Sequence, residues 1–194
     1  MIRNIVLTGV GGQGTVLASK LIAAAAMSKG LEVKSAETIG MAQRGGSVFS
    51  HLRIGENTDC PMIAYGEADI ILGFEPGETV RMLPYLKKDG FVVVSDRAVT
   101  PVTASLNRGT YQSEAMLEYL SNKVDNLKII DTDRALSELG SAKVLNVLLL
   151  GAAVRSGALG ITVGEMRGII REKVPEKLVE LNLKAFDYPS ERSR

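Results

Sequence analysis

Asn4-Ile5-Val6-Leu7-Thr8-Gly9-Val10-Gly11-Gly12-Gln13-Gly14-Thr15 runs an apolar segment into four glycines within six residues, and a helical pattern follows at once. Gly9, Gly11 and Gly14 satisfy the G-x-G-x-x-G spacing, at the kind of strand-to-helix turn where an α/β sheet receives a ligand or a second backbone. Glycine there permits φ > 0 in the tight turn and lets a phosphate or another chain come close. The following helix presents unpaired N–H groups and the positive end of its dipole.

Working outward, residues 2–8 read as a buried strand. Residues 14–29 read as a helix with Val16, Leu17, Leu21, Ile22 and Ala25 on one stripe and Gly30 as its cap. Strands are predicted over 31–38, 47–54, 68–74, 91–95 and 127–131, and helices over 79–86 and 113–124. Residues 55–59 form a turn, Glu75-Pro76-Gly77 stops the fourth strand, and 101–110 has no regular pattern. Beyond Asp131 the pattern is helical throughout: 134–139 capped by Asp131 or Thr132, then 143–156, 163–173 and 175–187, the last with Pro175 near its first turn. This alternation predicts an α/β fold: a three-layer α/β/α sandwich around a mostly parallel, Rossmann-like sheet with extra C-terminal helices. The strand 47–54, joined by short connections, is the candidate for an antiparallel member. Three C-terminal helices exceed what one face of a small sheet needs, so part of their apolar surface is expected to pack on another chain. Residues 1–187 read as a single domain and 188–194 as a polar, frayed tail.

Composition narrows the function classes. The chain has 194 residues, 45% hydrophobic and 23% charged, with a formal net charge of +1, which lacks the clustered basic footprint of a nucleic-acid binder. No apolar run is long enough to span a bilayer, and no basic segment precedes an apolar one at the N-terminus. One cysteine, Cys60, provides neither an internal disulfide nor a four-cysteine metal or iron–sulfur site, and one histidine, His51, leaves too few ligands for a His-rich metal centre. A cytoplasmic chain carrying no redox metal of its own is the default expectation.

Candidate site residues cluster at two glycine-rich loops. The first comprises Gly9, Gly11, Gly12, Gln13 and Gly14; the second comprises Gln43, Arg44, Gly45, Gly46 and Ser47. An arginine between glycines suits a carboxylate or phosphate, because its fork binds bidentately while the backbone comes close. Both loops are expected at the carboxyl edge of the sheet, where open α/β sheets bind ligands. Glu75 ends a strand at the same edge, as an acceptor for a ligand or partner or as a turn residue. A dinucleotide site would want an acid about 20 residues on, and Glu37 is the candidate, but a long loop follows it and no room remains for a substrate domain. His51 reads as a structural histidine, Cys60 as a small buried hydrophobe, and Asn146 as an amide inside an apolar helix that needs a partner at a neighbouring loop or subunit. No nucleophile elbow, Walker loop, zincin helix or kinase set is present.

In combination these motifs carry a resemblance. Gly11-Gly12-Gln13-Gly14, then Glu37-Thr38-Ile39-Gly40-Met41-Ala42-Gln43-Arg44-Gly45-Gly46-Ser47-Val48, then Ser50-His51-Leu52-Arg53-Ile54-Gly55 are similar to the gamma-type subunits of the 2-oxoacid:ferredoxin oxidoreductases. Ala68-Asp69, Gly73-Phe74-Glu75, Asn146 and Leu150-Gly151 extend the match over nearly the whole chain. The form Met-Ala-Gln-Arg-Gly-Gly-Ser-Val looks closest to the indolepyruvate branch. The resemblance implies a subunit of an enzyme that oxidatively decarboxylates a 2-oxoacid, aryl pyruvates in that branch, with coenzyme A, giving an acyl-CoA, carbon dioxide and reduced ferredoxin. It implies that a larger partner subunit carries thiamine diphosphate and iron–sulfur clusters, that ferredoxin is met through the complex, and that this chain carries no catalytic residue and binds no cofactor alone. The glycine loops and Glu75 would then face the partner and help form the substrate or coenzyme A pocket, and the isolated chain would pair with itself through the face meant for that partner. Two other classes remain open on the residues alone: a free-standing NAD(P)- or flavin-binding oxidoreductase, and a non-catalytic adaptor on the same fold.

Overall fold

The computed structural model describes residues 2–39, 45–56, 59–100 and 111–188. The chain runs β1 (Arg3–Val10), α1 (Thr15–Ser28), β2 (Val33–Ile39), β3 (Ser47–Ile54), β4 (Ala68–Gly73), α2 (Pro76–Met82), β5 (Leu86–Ser95), α3 (Ser113–Lys123), β6 (Asn126–Ile130), α4 (Thr132–Leu139), α5 (Leu145–Arg155), α6 (Val163–Lys173) and α7 (Glu176–Asp187). Six strands form one sheet in the order β2-β3-β1-β4-β5-β6. β3 runs antiparallel to both β1 and β2, and β1, β4, β5 and β6 pair in parallel. The expected mixed α/β/α sandwich is therefore the observed one.

Strand alternation explains the layers. Ile5, Leu7, Ile70, Leu72 and Val93 point into one core with α1 and α4–α7. Val6, Ile71, Val92 and Val94 point into a second core beneath α2 and α3. Central strands buried on both faces must be apolar at every position, which is why these segments read as continuous hydrophobic runs. Local signals set several ends. Thr162 and Glu165 form a reciprocal capping box at α6, and the Asp131 carboxylate accepts from Arg134 N at α4. β1 extends two residues beyond the predicted strand because Gly9 and Val10 pair with Val48 and Ser47. α2 begins three residues earlier than predicted because Glu75 caps it, and Leu83–Tyr85 then forms a 3-10 turn. β5 also starts earlier, but its pairing shifts register between Ala68 and Ile70, so regular pairing begins only at Phe91.

The C-terminal helices consume most of their own apolar surface. α5 is buried along nearly its whole length, and α7 packs chiefly on α5, α6 and α4. Phe186 and Ala185 are fully buried there. Much of the apolar surface expected to pack on another chain is spent inside this one; among the large hydrophobic side chains of these helices, Val163 and Leu178 stay exposed. The contact of α7 with α5 depends on Gly151, where a Cβ would lie 2.1 Å from the Phe186 carbonyl oxygen. Arg155 ties the same seam, its Nη1 donating to the carbonyls of Gly151 at 2.9 Å and Phe186 at 2.6 Å.

On the face of β3 that α2 and α3 leave bare, the segment around Ile63 covers His51. Ile63 N donates to His51 Nδ1 at 3.0 Å, so the neutral ring carries its proton on Nε2. Among the described residues that buried Nε2 has no hydrogen-bond partner; the ring centroids of Phe49 and Tyr85 stand 5.4 and 5.0 Å from that of His51. Burial holds the His51 pKa below its ordinary value. Cys60, expected to be buried, is exposed, because it lies on the outer side of this covering segment, where its carbonyl accepts from Arg53 Nη1 at 3.0 Å.

Two predictions follow from this packing. Gly151→Ala should lower stability by about 1–3 kcal/mol in urea unfolding, since helix backbone cannot retreat as a side chain would. His51 binds a proton more readily unfolded than folded, so its contribution is complete above about pH 6.5 and declines as pH falls below it, by up to about 1.4 kcal/mol per pH unit. Unfolding curves between pH 7.5 and 5 should show that slope, and His51→Gln should remove it.

Candidate functional site

The carboxyl ends of β1, β4, β5 and β6 share one rim of the sheet with the amino end of β3. The antiparallel pairing of β3 sets the second glycine loop beside the first. Val10 pairs with Ser47, and Gly11 N donates to the Gly46 carbonyl at 2.9 Å, carrying the ladder one rung past the strands. Gly45 adopts φ +82 at this junction. Gln43 and Arg44 lie outside the described residues.

Within the first loop the residues divide by task. Gln13 turns its carboxamide inward: Oε1 accepts from Val10 N at 2.6 Å and Nε2 donates to the Phe74 carbonyl at 2.9 Å. Gly9 makes room for this, since a Cβ there would lie 2.7 Å from both Gln13 Oε1 and Phe74 Cβ. Gly14 sits at φ +87 as the residue before α1, and a Cβ on it would lie 2.8 Å from Asn146 Nδ2. The Asn146 side chain thus packs against the glycine turn, and its Oδ1 accepts from Val147 N at 2.9 Å. Gly12, at φ +101, has open space where a Cβ would stand.

That open side is a cleft of about 320 Å³, lined by residues that include Gly12, Gln13, Gly14, Arg97, Lys143 and Asn146. No side chain caps the N-terminus of α1, so its first-turn amides and dipole add positive potential beside the two cations. Arg97 Nε lies 3.7 Å from Asp133 Oδ1, an exposed pair worth little against a bound anion. Electrostatically, the cleft suits a carboxylate or phosphate.

Glu75 is not aimed outward. It is 1% exposed. Its Oε2 accepts from Glu78 N at 2.9 Å as the cap of α2, and its Oε1 accepts from the Tyr111 hydroxyl at 2.5 Å. Tyr111 in turn accepts from Gly77 N at 3.2 Å, and burial together with the Glu75 carboxylate raises its pKa. Ser47 Oγ donates to Glu78 Oε2 at 2.6 Å, which ties β3 to α2. Of the residues singled out in sequence, Gly12 and Gly14 line the cleft, while Gln13 (which also borders it), Ser47 and Glu75 hold the rim together. Arg97 was not singled out in sequence, and its place just past the carboxyl end of β5 is the signal that points to it; Lys143 and Tyr111 carried no sequence signal.

The rim does not fit the dinucleotide pattern. β3 stands between β1 and β2, so Glu37 lies two strands from β1, roughly 10 Å away at the usual interstrand spacing. The crevice between β1 and β4 is occupied by the Gln13 carboxamide. Among the described residues no cluster of three or more His, Cys, Asp or Glu side chains could hold a metal ion, and no helix is long and apolar enough to cross a membrane.

Comparison with known proteins agrees with this architecture. Residues 4–191 match the pyruvate ferredoxin/flavodoxin oxidoreductase family. The chain is 38% identical over 186 residues to the indolepyruvate oxidoreductase subunit IorB of Pyrococcus horikoshii, covering 95% of this chain and 92% of that one. It is 30% identical over 189 residues to the common gamma subunit of the pyruvate/ketoisovalerate oxidoreductases of Pyrococcus abyssi, covering 96% and 94%. In fold it matches a pyruvate oxidoreductase subunit of Thermotoga maritima with TM-score 0.70 at 22% identity, covering 98% and 97%. It also matches 30% of a longer chain of the 2-oxoglutarate:ferredoxin oxidoreductase of Magnetococcus marinus, with TM-score 0.71 at 23% identity over 96% of this chain. The chain belongs to the pyruvate ferredoxin/flavodoxin oxidoreductase family, as a gamma-type subunit of a 2-oxoacid oxidoreductase.

Proposed function

We propose that this chain works in the cytoplasm as the subunit of a thiamine-dependent indolepyruvate or aryl-pyruvate ferredoxin oxidoreductase that carries none of the reacting cofactors. A larger partner subunit supplies thiamine diphosphate and the iron–sulfur clusters, and ferredoxin docks on the assembled complex. The observation that carries the reading is the rim where two glycine loops are joined at Gly11 and Gly46 beside a cleft containing Arg97 and Lys143. Small residues there let a second backbone approach closely, and the cations suit the phosphates of coenzyme A. Two facts about relatives support it. One solved relative has coenzyme A bound, and in that relative the matching fold is part of a longer chain, as expected of a domain that always works against its neighbours.

On this reading the chain's own residues bind, orient and exclude water. The cofactors supply the carbon–carbon bond cleavage and electron transfer when bound. Gly12, Gly14 and the first turn of α1 receive anionic oxygens, Arg97 and Lys143 neutralise them, and the packed rim keeps water from the reactive intermediate. Arg44, from its sequence setting between Gln43 and Gly45, is the further cation for a carboxylate or phosphate. Ser47 and Glu75 keep the rim in register, so their contribution to binding runs through structure.

The test is co-purification with a thiamine- and iron–sulfur-carrying partner, followed by oxoacid-dependent reduction of an electron acceptor. The chain alone should turn over no oxoacid. In the complex, Arg97→Ala and Lys143→Ala should each raise the coenzyme A KM roughly five- to fiftyfold, the range of one charge-assisted contact, with smaller effects on kcat. Arg44→Ala should raise the KM of the oxoacid or of coenzyme A; unchanged kinetics for both would remove it from the site.

A further inference from the structure

The register between β1 and β4 contains a gap that Gln13 fills. Thr8 pairs with Gly73, and Phe74 N donates to the Thr8 carbonyl at 2.8 Å. In a parallel ladder the next rung joins Val10 N–H to the Phe74 carbonyl. The two strands part there instead, and the carboxamide of Gln13 takes the place of the rung. Its Oε1 receives the Val10 N–H at 2.6 Å, and its Nε2–H goes to the Phe74 carbonyl at 2.9 Å. A primary amide has the donor and acceptor of a peptide group, so it can stand in a ladder as a peptide would. Gly9 keeps the space open, with Gln13 Oε1 and Phe74 Cβ where its side chain would be. The helices that follow β1 and β4 lie on opposite faces of the sheet, which makes this the kind of crevice where open α/β sheets take their ligands. Here the protein's own side chain occupies it, and the open cleft lies to one side, between the glycine turn, Arg97 and Asn146.

We propose that Gln13 is a positioning residue for the reaction of the assembled enzyme: its carboxamide splices β1 to β4 and thereby fixes the turn at residues 11–14, the wall of the cleft. This rests on the reading that the cleft receives coenzyme A. Gln13 also sits on the cleft border, but its hydrogen-bonding groups are committed inward. It acts through the backbone of Gly12 and Gly14, at φ +101 and +87, the latter packed against Asn146.

The experiment uses the complex reconstituted with the partner subunit and two variants: Gln13→Met, which keeps the length and loses both bonds, and Gln13→Glu, which keeps the acceptor for Val10 N and sets a carboxylate oxygen against the Phe74 carbonyl. For each, assembly is checked by co-elution and steady-state constants are taken per assembled complex. The expected result is a coenzyme A KM raised roughly tenfold with kcat and oxoacid KM within about twofold of the parent. A role confined to folding would lower the yield of complex and leave those constants alone. Unchanged coenzyme A KM in the assembled variants overturns the proposal, and so does a fall in kcat without a change in that KM. Failure of both variants to assemble overturns it too, by making the carboxamide a requirement of folding. If Arg97→Ala and Lys143→Ala raise the coenzyme A KM and the Gln13 variants do not, only this inference falls. If the two cation variants leave it unchanged, the cleft reading itself falls.

Discussion

One antiparallel strand constrains the whole rim. By lying between β1 and β2 and starting at the carboxyl edge, β3 sets Ser47 level with Val10. Two glycine-rich loops far apart in sequence thus become hydrogen-bonded neighbours through Gly11 and Gly46. The same insertion carries β2, and Glu37 with it, away from the first loop. A doubly wound sheet that bound a nucleotide would put β2 beside β1, where an acid could reach the ribose. The change of one strand's place converts a nucleotide-site pattern into a rim of small residues and backbone.

A second set of contacts makes that rim stiff. Buried carboxylates are costly unless donors reach them, and here both are met, Glu75 on each of its oxygens and Glu78 on Oε2. Glu75 takes Glu78 N and Tyr111; Glu78 takes Ser47 and, at 3.5 Å, Arg81 Nε. Gly73 allows α2 to sit directly on the end of β4: a Cβ there would lie 1.9 Å from Thr79 Oγ1, which instead donates to the Glu75 carbonyl at 2.7 Å. The Gly73-Phe74-Glu75 run noticed in sequence is therefore a joint between strand and helix. Its polar residue is spent inside the fold.

Period and punctuation made much of the fold legible. The strand 47–54 alternated and had short connections, which gave its antiparallel sense, and the predicted helix 163–173 is α6, whose start the Thr162–Glu165 capping box fixes. What stayed illegible shares a cause: it was settled by residues distant in sequence. Glu75, an acceptor for a ligand or a turn residue on sequence alone, is settled as a cap by Glu78 N and by Tyr111, 36 residues on. Cys60 looked buried because the segment carrying it has no period to say which side faces Ile63 and His51. How much of the C-terminal helices' apolar surface is spent internally was not readable, because nothing local shows that α7 stacks on α5 across Gly151. In the site, the glycines were legible and the cations were not: Lys143 reaches the cleft only because α5 begins beside the first loop.

Glycine itself is ambiguous evidence, and the structure resolves it position by position. At Gly9 the space is taken by Gln13 and Phe74, so the residue serves the protein's own ladder. At Gly14 both the positive φ and Asn146 exclude a side chain, so it serves the turn into α1. At Gly12 the backbone angle demands glycine but the space above it is empty. Only the last leaves backbone open for something other than this chain. A loop whose neighbours are committed inward and whose middle residue is bare presents N–H groups at fixed positions without side-chain freedom to lose, which is the preorganisation that a subunit lending shape and potential to another subunit's chemistry requires.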